Sequence, residues 1–188
     1  QPLIIIEKDR FLYNYLVDKY TGLKNQITIM NRDFLTFSIK THFKQCSIIG
    51  NIPYNITTPI IQRITEERSA VSNCILTVQK EVAQRIWAHP STKEYGSLSV
   101  YVQFHWFVSK ICFIPKSCFR PQPRVDSAAL QLQKISRQEC LDHILFNALV
   151  REAFAQRRKK FSKSLLRLSM VQLSLKDVDR VLNKAGIS

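Results

Sequence analysis

The feature that most constrains this chain is a rhythm. Short apolar runs recur through its first eighty residues, each leading into a helical-period segment or a tight turn. "PLIII" (2–6) is unbroken, as expected of a strand buried on both faces. It leads into "EKDRFLYNYLVDKY", where Phe11, Leu12, Tyr15, Leu16 and Tyr20 recur at helical spacing. "QITIMNRD" (26–33) alternates and reads as a second strand ending at Asp33, and "CSIIG" (46–50) reads as a third. A turn at Asn51 and a helix from about Thr58, with Pro59 in its first turn, come next. "NCILTVQ" (73–79) is a fourth strand leading into the helix "KEVAQRIWA". Strand and helix alternating in this way imply a parallel, doubly wound α/β sheet.

The pattern then changes. "SLSVYVQFHWFVS" is apolar and aromatic and fits either helix or strand, with helix favoured. "KICFIPKSCF" and "SAALQLQKI" read as strands on either side of the proline-rich "FRPQPRVD", an antiparallel pair at the sheet edge. From Ser136 the sequence turns helical. "SRQE" and "SLKD" fit the capping box, in which a serine at the cap is answered by an acid three residues later. Gly186 stands where a helix would stop. Two units are expected: residues 1–135 forming the sheet domain, and 136–188 forming a small helical one. The opening "QPLIIIEKD" carries no charged leader, cleavage site or initiating Met, so the chain is expected to start inside a larger domain.

Charge narrows the partners. A net +14 on 188 residues favours a polyanion. No apolar run reaches the roughly 18 residues of a membrane span, and no helix pairs a basic face with a clean apolar one. Nucleic acid is therefore the expected partner and a membrane is not. Five widely spaced cysteines form no CxxC pair, and four histidines complete no zinc pattern. No metal site is expected, and the cysteines suit a reducing, cytoplasmic setting.

In open α/β sheets ligands bind beyond the carboxyl ends of the strands. Three polar residues fall there: Glu7, Asp33 and Asn51. Glu7 suits ribose hydroxyls and Asp33 an adenine amine, although Glu7 could equally favour a helix start and Asp33 could cap the "FLTF" turn. Asn51-Ile52-Pro53-Tyr54 is a costly way to make a simple turn. Its groups suit an exocyclic amine, a poor nucleophile whose lone pair is delocalised into the base. The Asn51 side-chain oxygen and the Pro53 carbonyl could accept hydrogen bonds from that amine, favouring its pyramidal form. Tyr54 offers a face for stacking, worth ~1–3 kcal/mol. Such a base must be unpaired or flipped out.

"GNIPYNITTPII", "VQKEVAQRI", "EYGSLSVYVQ", "FRPQPRVDSAALQL" and "REAFAQRRKKFSKSL" together resemble the ribosomal RNA small-subunit adenine dimethyltransferase family, over nearly the whole chain and in order. The resemblance implies a Rossmann-like fold with S-adenosyl-L-methionine as cofactor. It also implies dimethylation of adjacent adenosines near the 3′ end of small-subunit rRNA during ribosome biogenesis. It makes Glu7 the acid for the cofactor ribose and Asp33, with Phe34 beside it, the acid for the cofactor adenine. Asn51 would touch both the methionine moiety and the target amine, Pro53 and Tyr54 would complete the target pocket, and Phe119 would close over the base. It further implies that a first strand, central to the sheet, and a Gly-rich cofactor loop precede Gln1. Without them these residues alone are expected to bind the cofactor poorly.

Residues 151–167 carry seven Lys/Arg against one Glu. Arg157, Arg158, Lys159, Lys160 and Lys163 are expected to meet rRNA phosphates, with Arg120, Arg124, Arg63 and Arg68 extending the track. The partner is then the immature small ribosomal subunit, met by a monomer. The competing reading is an RNA-binding assembly or transcription factor that keeps the fold without needing catalysis. A resistance methylase of large-subunit rRNA is disfavoured by "FRPQPRVDS" and the basic tail.

Overall fold

The computed structural model describes residues 3–135, 142–157 and 159–187. Strand β1 (Leu3–Glu7) leads to helix α1 (Arg10–Lys19), whose first turn is closed by Asp9 accepting from the Leu12 amide at 2.9 Å. β2 (Ile27–Asn31) follows, parallel to β1 in register from Leu3 opposite Ile27 to Glu7 opposite Asn31. A 3-10 turn and the short α2 (Ile39–His42) lead to β3 (Cys46–Asn51), α3 (Thr57–Glu66) and β4 (Val71–Gln79). β3 and β4 are parallel and end with Asn51 opposite Thr77.

α4 (Lys80–Trp87) and α5 (Ser97–His105) precede β5 (Trp106–Ile114) and β6 (Ser127–Lys134). β6 inserts antiparallel between β4 and β5, giving the order β3-β4-β6-β5 with β5 at the edge. The "SLSVYVQFHWFVS" segment is therefore helical only to His105. From Trp106 it is strand, because ladder pairing with β6 and burial of the Trp106 ring decide what helical periodicity alone could not. That ring is 1% exposed, and its indole N–H donates to Thr65 at 2.9 Å.

The sheet comes in two pieces. β1 and β2 form one, the other four strands the second, and both pack on one apolar core. Ile60, Ile61 and Ile64 of α3, Ala83 and Ile86 of α4, and Val102 of α5 fill that core against Leu76, Val78, Leu130 and Leu132. Among the described residues, β1 and β3 each pair on one side only. Gly50 keeps the end of β3 tight: a Cβ there would lie 2.9 Å from Cδ1 of Ile52.

α6 (His143–Ala155), α7 (Phe161–Leu165) and α8 (Leu175–Lys184) gather around a second small core of Leu165, Leu168 and Val178. Ser174 and Asp177 form the capping box of α8, and Gly186 follows its end at φ +68°. The "SRQE" box and the proposed boundary at 136 lie outside the described residues. α6 meets α5 through Phe104 against Phe146, 4.3 Å between ring centres. No helix among the described residues is long and apolar enough to cross a membrane.

Candidate functional site

At the β1–β2 end, Glu7 is half-buried and its Oε1 accepts from the Asp9 amide at 2.7 Å. Its backbone carbonyl is held by the Asn31 side chain at 2.9 Å and the Arg32 amide at 3.2 Å. Asp33 accepts from Lys8 Nζ at 2.7 Å and from the Leu35 amide at 2.9 Å. The Lys8 ammonium, helped by that amide, holds the Asp33 carboxyl below its ordinary value. Both acids thus also perform the local duties the sequence allowed: Glu7 steadies the approach to α1 and Asp33 caps the Phe34–Thr36 turn. Each binds its turn through one carboxylate oxygen, and the other oxygen of Glu7 carries no hydrogen bond among the described residues. Phe34 is half-buried and packs on the main core.

At the end of β3, Asn51 is exposed and its amide makes no hydrogen bond among the described residues. Ile52 turns inward at 8% exposure, and its N–H donates to the Thr77 carbonyl at 3.0 Å. The Pro53 carbonyl accepts from the Ile56 amide at 3.1 Å, with Thr57 Oγ1 at 3.4 Å. It therefore serves the turn, whereas the Ile52 carbonyl accepts no hydrogen bond among the described residues. Tyr54 is half-buried, and its hydroxyl lies 2.7 Å from Oγ of Ser127, a residue with no exposed surface. That bond spans 73 positions and fixes the ring from its far end. The segment is open to solvent at Asn51 and Pro53 rather than sealed.

Ser127 and Lys8 were not singled out by sequence reasoning. Ser127 stands inside the "VDSAALQL" motif, but nothing local to it points to Tyr54.

Beyond Ser127 opens a cleft of about 480 Å³ lined by Lys80, Glu81, Gln84, Lys116, Arg124 and Asp126, among others. Arg124 belongs to this wall, and Arg120 is exposed on the same loop. Phe119, half-buried and immediately before Arg120 in sequence, makes no ring contact with Tyr54 among the described residues.

The basic track divides. Lys159, Lys160 and Lys163 are exposed, and Arg158 lies outside the described residues. Arg157 instead donates to the Lys93 and Tyr95 carbonyls and lies 5.9 Å from the Phe154 ring, fastening the helical unit to the 93–95 loop. Arg63 grips the Phe37 carbonyl at 3.0 Å and pairs with the buried Glu67 carboxylate. Arg68 meets His143 at 3.3 Å, before β4 begins and so at the opposite end of that strand from Gln79. Arg63 and Arg157 are thus engaged in holding the fold.

Parallel strands with helical crossovers, an antiparallel outer pair and polar residues gathered at strand ends place the chain in the Rossmann-like fold class of the methyltransferases. A dimethyladenosine transferase from Plasmodium falciparum superposes with a TM-score of 0.80 at 22% identity, over 100% of this chain and 67% of that one. The 23S rRNA methyltransferase ErmE superposes at 0.69 with 24% identity, over 100% of this chain and 73% of that one. Residues 2–188 match the family described as ribosomal RNA adenine dimethylase, and the chain belongs to that family. Proteins named ribosomal RNA small subunit methyltransferase A, from Bacillus thuringiensis (strain Al Hakam) and Bacillus mycoides (strain KBAB4), are each 35% identical over 182 residues. Those alignments cover 92% of this chain but 62% of the relatives' length.

Proposed function

We propose that this protein uses S-adenosyl-L-methionine to dimethylate the exocyclic amines of two adjacent adenosines near the 3′ end of small-subunit rRNA, during ribosome biogenesis. One observation carries the reading: an exposed Asn51 amide, without a partner among the described residues, beside a Tyr54 ring pinned by a buried serine at the end of a parallel strand. Family membership and the names of the relatives support it.

The cofactor supplies an electrophilic sulfonium methyl. The donor set fits its polar half: Glu7 has a carboxylate oxygen left for ribose hydroxyls, and Asp33 stands beside Phe34 at the neighbouring strand end. The Asn51 side-chain oxygen accepts one amine N–H of the extruded adenine. With the Pro53 carbonyl held by its turn, the Ile52 carbonyl is the second acceptor. Two acceptors on the amine localise its lone pair on nitrogen, and no general base is needed to create the nucleophile. Tyr54 stacks on the base, and Phe119 closes over it from the 115–126 loop. Lys159, Lys160 and Lys163 take rRNA phosphates, and the immature small subunit is the partner.

The test is methyl incorporation from labelled cofactor into undermethylated small subunits. Full-length wild type should label the rRNA, and Tyr54→Ala and Asn51→Ala should not. Equal labelling by Tyr54→Ala refutes the pocket. Tight subunit binding by wild type without labelling favours an assembly factor instead.

A further inference from the structure

We propose that Phe113 and Trp87 form a stacking platform for the unpaired nucleotides beside the target base, with Lys80, Lys116 and Arg124 holding their phosphates in the adjoining cleft. The inference deepens the methyltransferase reading and rests on it for the identity of the RNA.

Phe113 is 45% exposed near the end of edge strand β5, where a monomeric fold gains nothing by presenting an aromatic ring to water. Trp87 meets it edge-on at 5.9 Å from α4. Two ammonium groups lie over these rings: Lys110 at 4.4 Å from Phe113 and 5.8 Å from Trp87, and Lys80 at 5.1 Å from Phe113. Aromatic faces interleaved with cations are the equipment for single-stranded nucleic acid, which stacks its bases and neutralises its phosphates.

Lys80 belongs to both features, since it also lines the 480 Å³ cleft. Within that cleft the two carboxylates are already engaged. Glu81 pairs with Arg85 at 2.7 Å, and Asp126 accepts from the Lys116 amide at 3.1 Å. Lys80, Lys116 and Arg124 have no carboxylate partner among the described residues. The site lies next to the target pocket: Asp126 lines the cleft while Ser127 anchors Tyr54. Ser127 is paired across the ladder with Ile114, the neighbour of Phe113, one strand spacing or about 5 Å away.

A protein strand added along the β5 edge is the competing occupant. The irregularity between Lys110 and Cys112 and the lysine on that edge both oppose such pairing, so RNA is favoured.

Trp87 is its own reporter. The chain has two tryptophans, and Trp106 is 1% exposed. Titration with a single-stranded RNA oligonucleotide should quench emission in the wild type but not in Trp87→Phe. Phe113→Ala should weaken binding roughly tenfold, and Phe113→Trp should restore it. Lys116→Ala with Arg124→Ala should lower the salt slope by about 1.4, the share of two single-strand phosphate contacts. In methyl transfer, Phe113→Ala should raise KM for RNA while kcat stays within about twofold. Binding is read without catalysis, so failure of the methyltransferase reading would leave the platform's own result standing. Unquenched Trp87, or unchanged RNA affinity in Phe113→Ala, overturns the platform. Protection of the β5 edge by a protein partner, with RNA affinity unmoved, overturns it too.

Discussion

Tyr54→Phe removes one oxygen and keeps the stacking ring, so its cost isolates the bond to Ser127. That bond is 2.7 Å long, and Ser127 has no exposed surface and no other hydrogen-bond partner among the described residues for its Oγ. Losing Tyr54's hydroxyl strands the buried Ser127 Oγ, which costs about 1–3 kcal/mol. Ser127→Ala is milder, about 0.5–1.5 kcal/mol, because half-buried Tyr54 can turn its hydroxyl to water. The double variant strands nothing and should lie close to Ser127→Ala alone. The expected coupling is then the whole Tyr54→Phe cost, about 1–3 kcal/mol, measured by urea unfolding of all four proteins at a common m-value. In methyl transfer, Tyr54→Phe should bind the base nearly as well but lose rate as the ring swings free. Strict additivity, or a Tyr54→Phe protein as stable as wild type, refutes the claim that Ser127 positions the ring.

Other perturbations separate structural from RNA-facing charges. Arg157→Ala should speed hydrogen exchange in α6 and leave the salt slope of RNA binding unchanged, since its guanidinium serves the Lys93 and Tyr95 carbonyls. Lys159→Ala and Lys163→Ala should each lower that slope by about 0.7 without moving stability. Thr65→Val leaves the buried Trp106 indole N–H unpaired and should cost about 1–3 kcal/mol in chemical unfolding, while Thr65→Ser retains the bond. His105 is buried near Arg68 and His143, and burial first, then the charge of Arg68 and the neighbouring His143 ring, pulls its pKa from 6.5 down to about 4. The unfolded chain therefore binds more protons between those values. Stability contributed by neutral His105 is full above pH 6.5 and falls as pH drops toward 4, by about 3 kcal/mol over the window. His105→Gln should flatten that part of the stability–pH curve.

Much was written locally. The alternation of apolar runs and helical periods determined β1 to β4 and their helices, because side-chain periodicity is a short-range property. Ser174 and Asp177 announced the cap of α8, and Gly186 its end, since three or four residues suffice to make such motifs. The same holds for the costly turn at Asn51, whose chemistry was visible in four letters.

Tertiary structure decided what depends on partners distant in sequence. It ended the α5 helix at His105 and turned Trp106 into a strand, because a ladder partner 28 residues on was available at Lys134. It gave Lys8 to Asp33 and Ser127 to Tyr54, and set Arg63 and Arg157 on backbone carbonyls. A hydrogen bond across 73 residues exists only after folding has brought its ends together. Periodicity can say which face of an element is apolar, but not which side chain will stand opposite it.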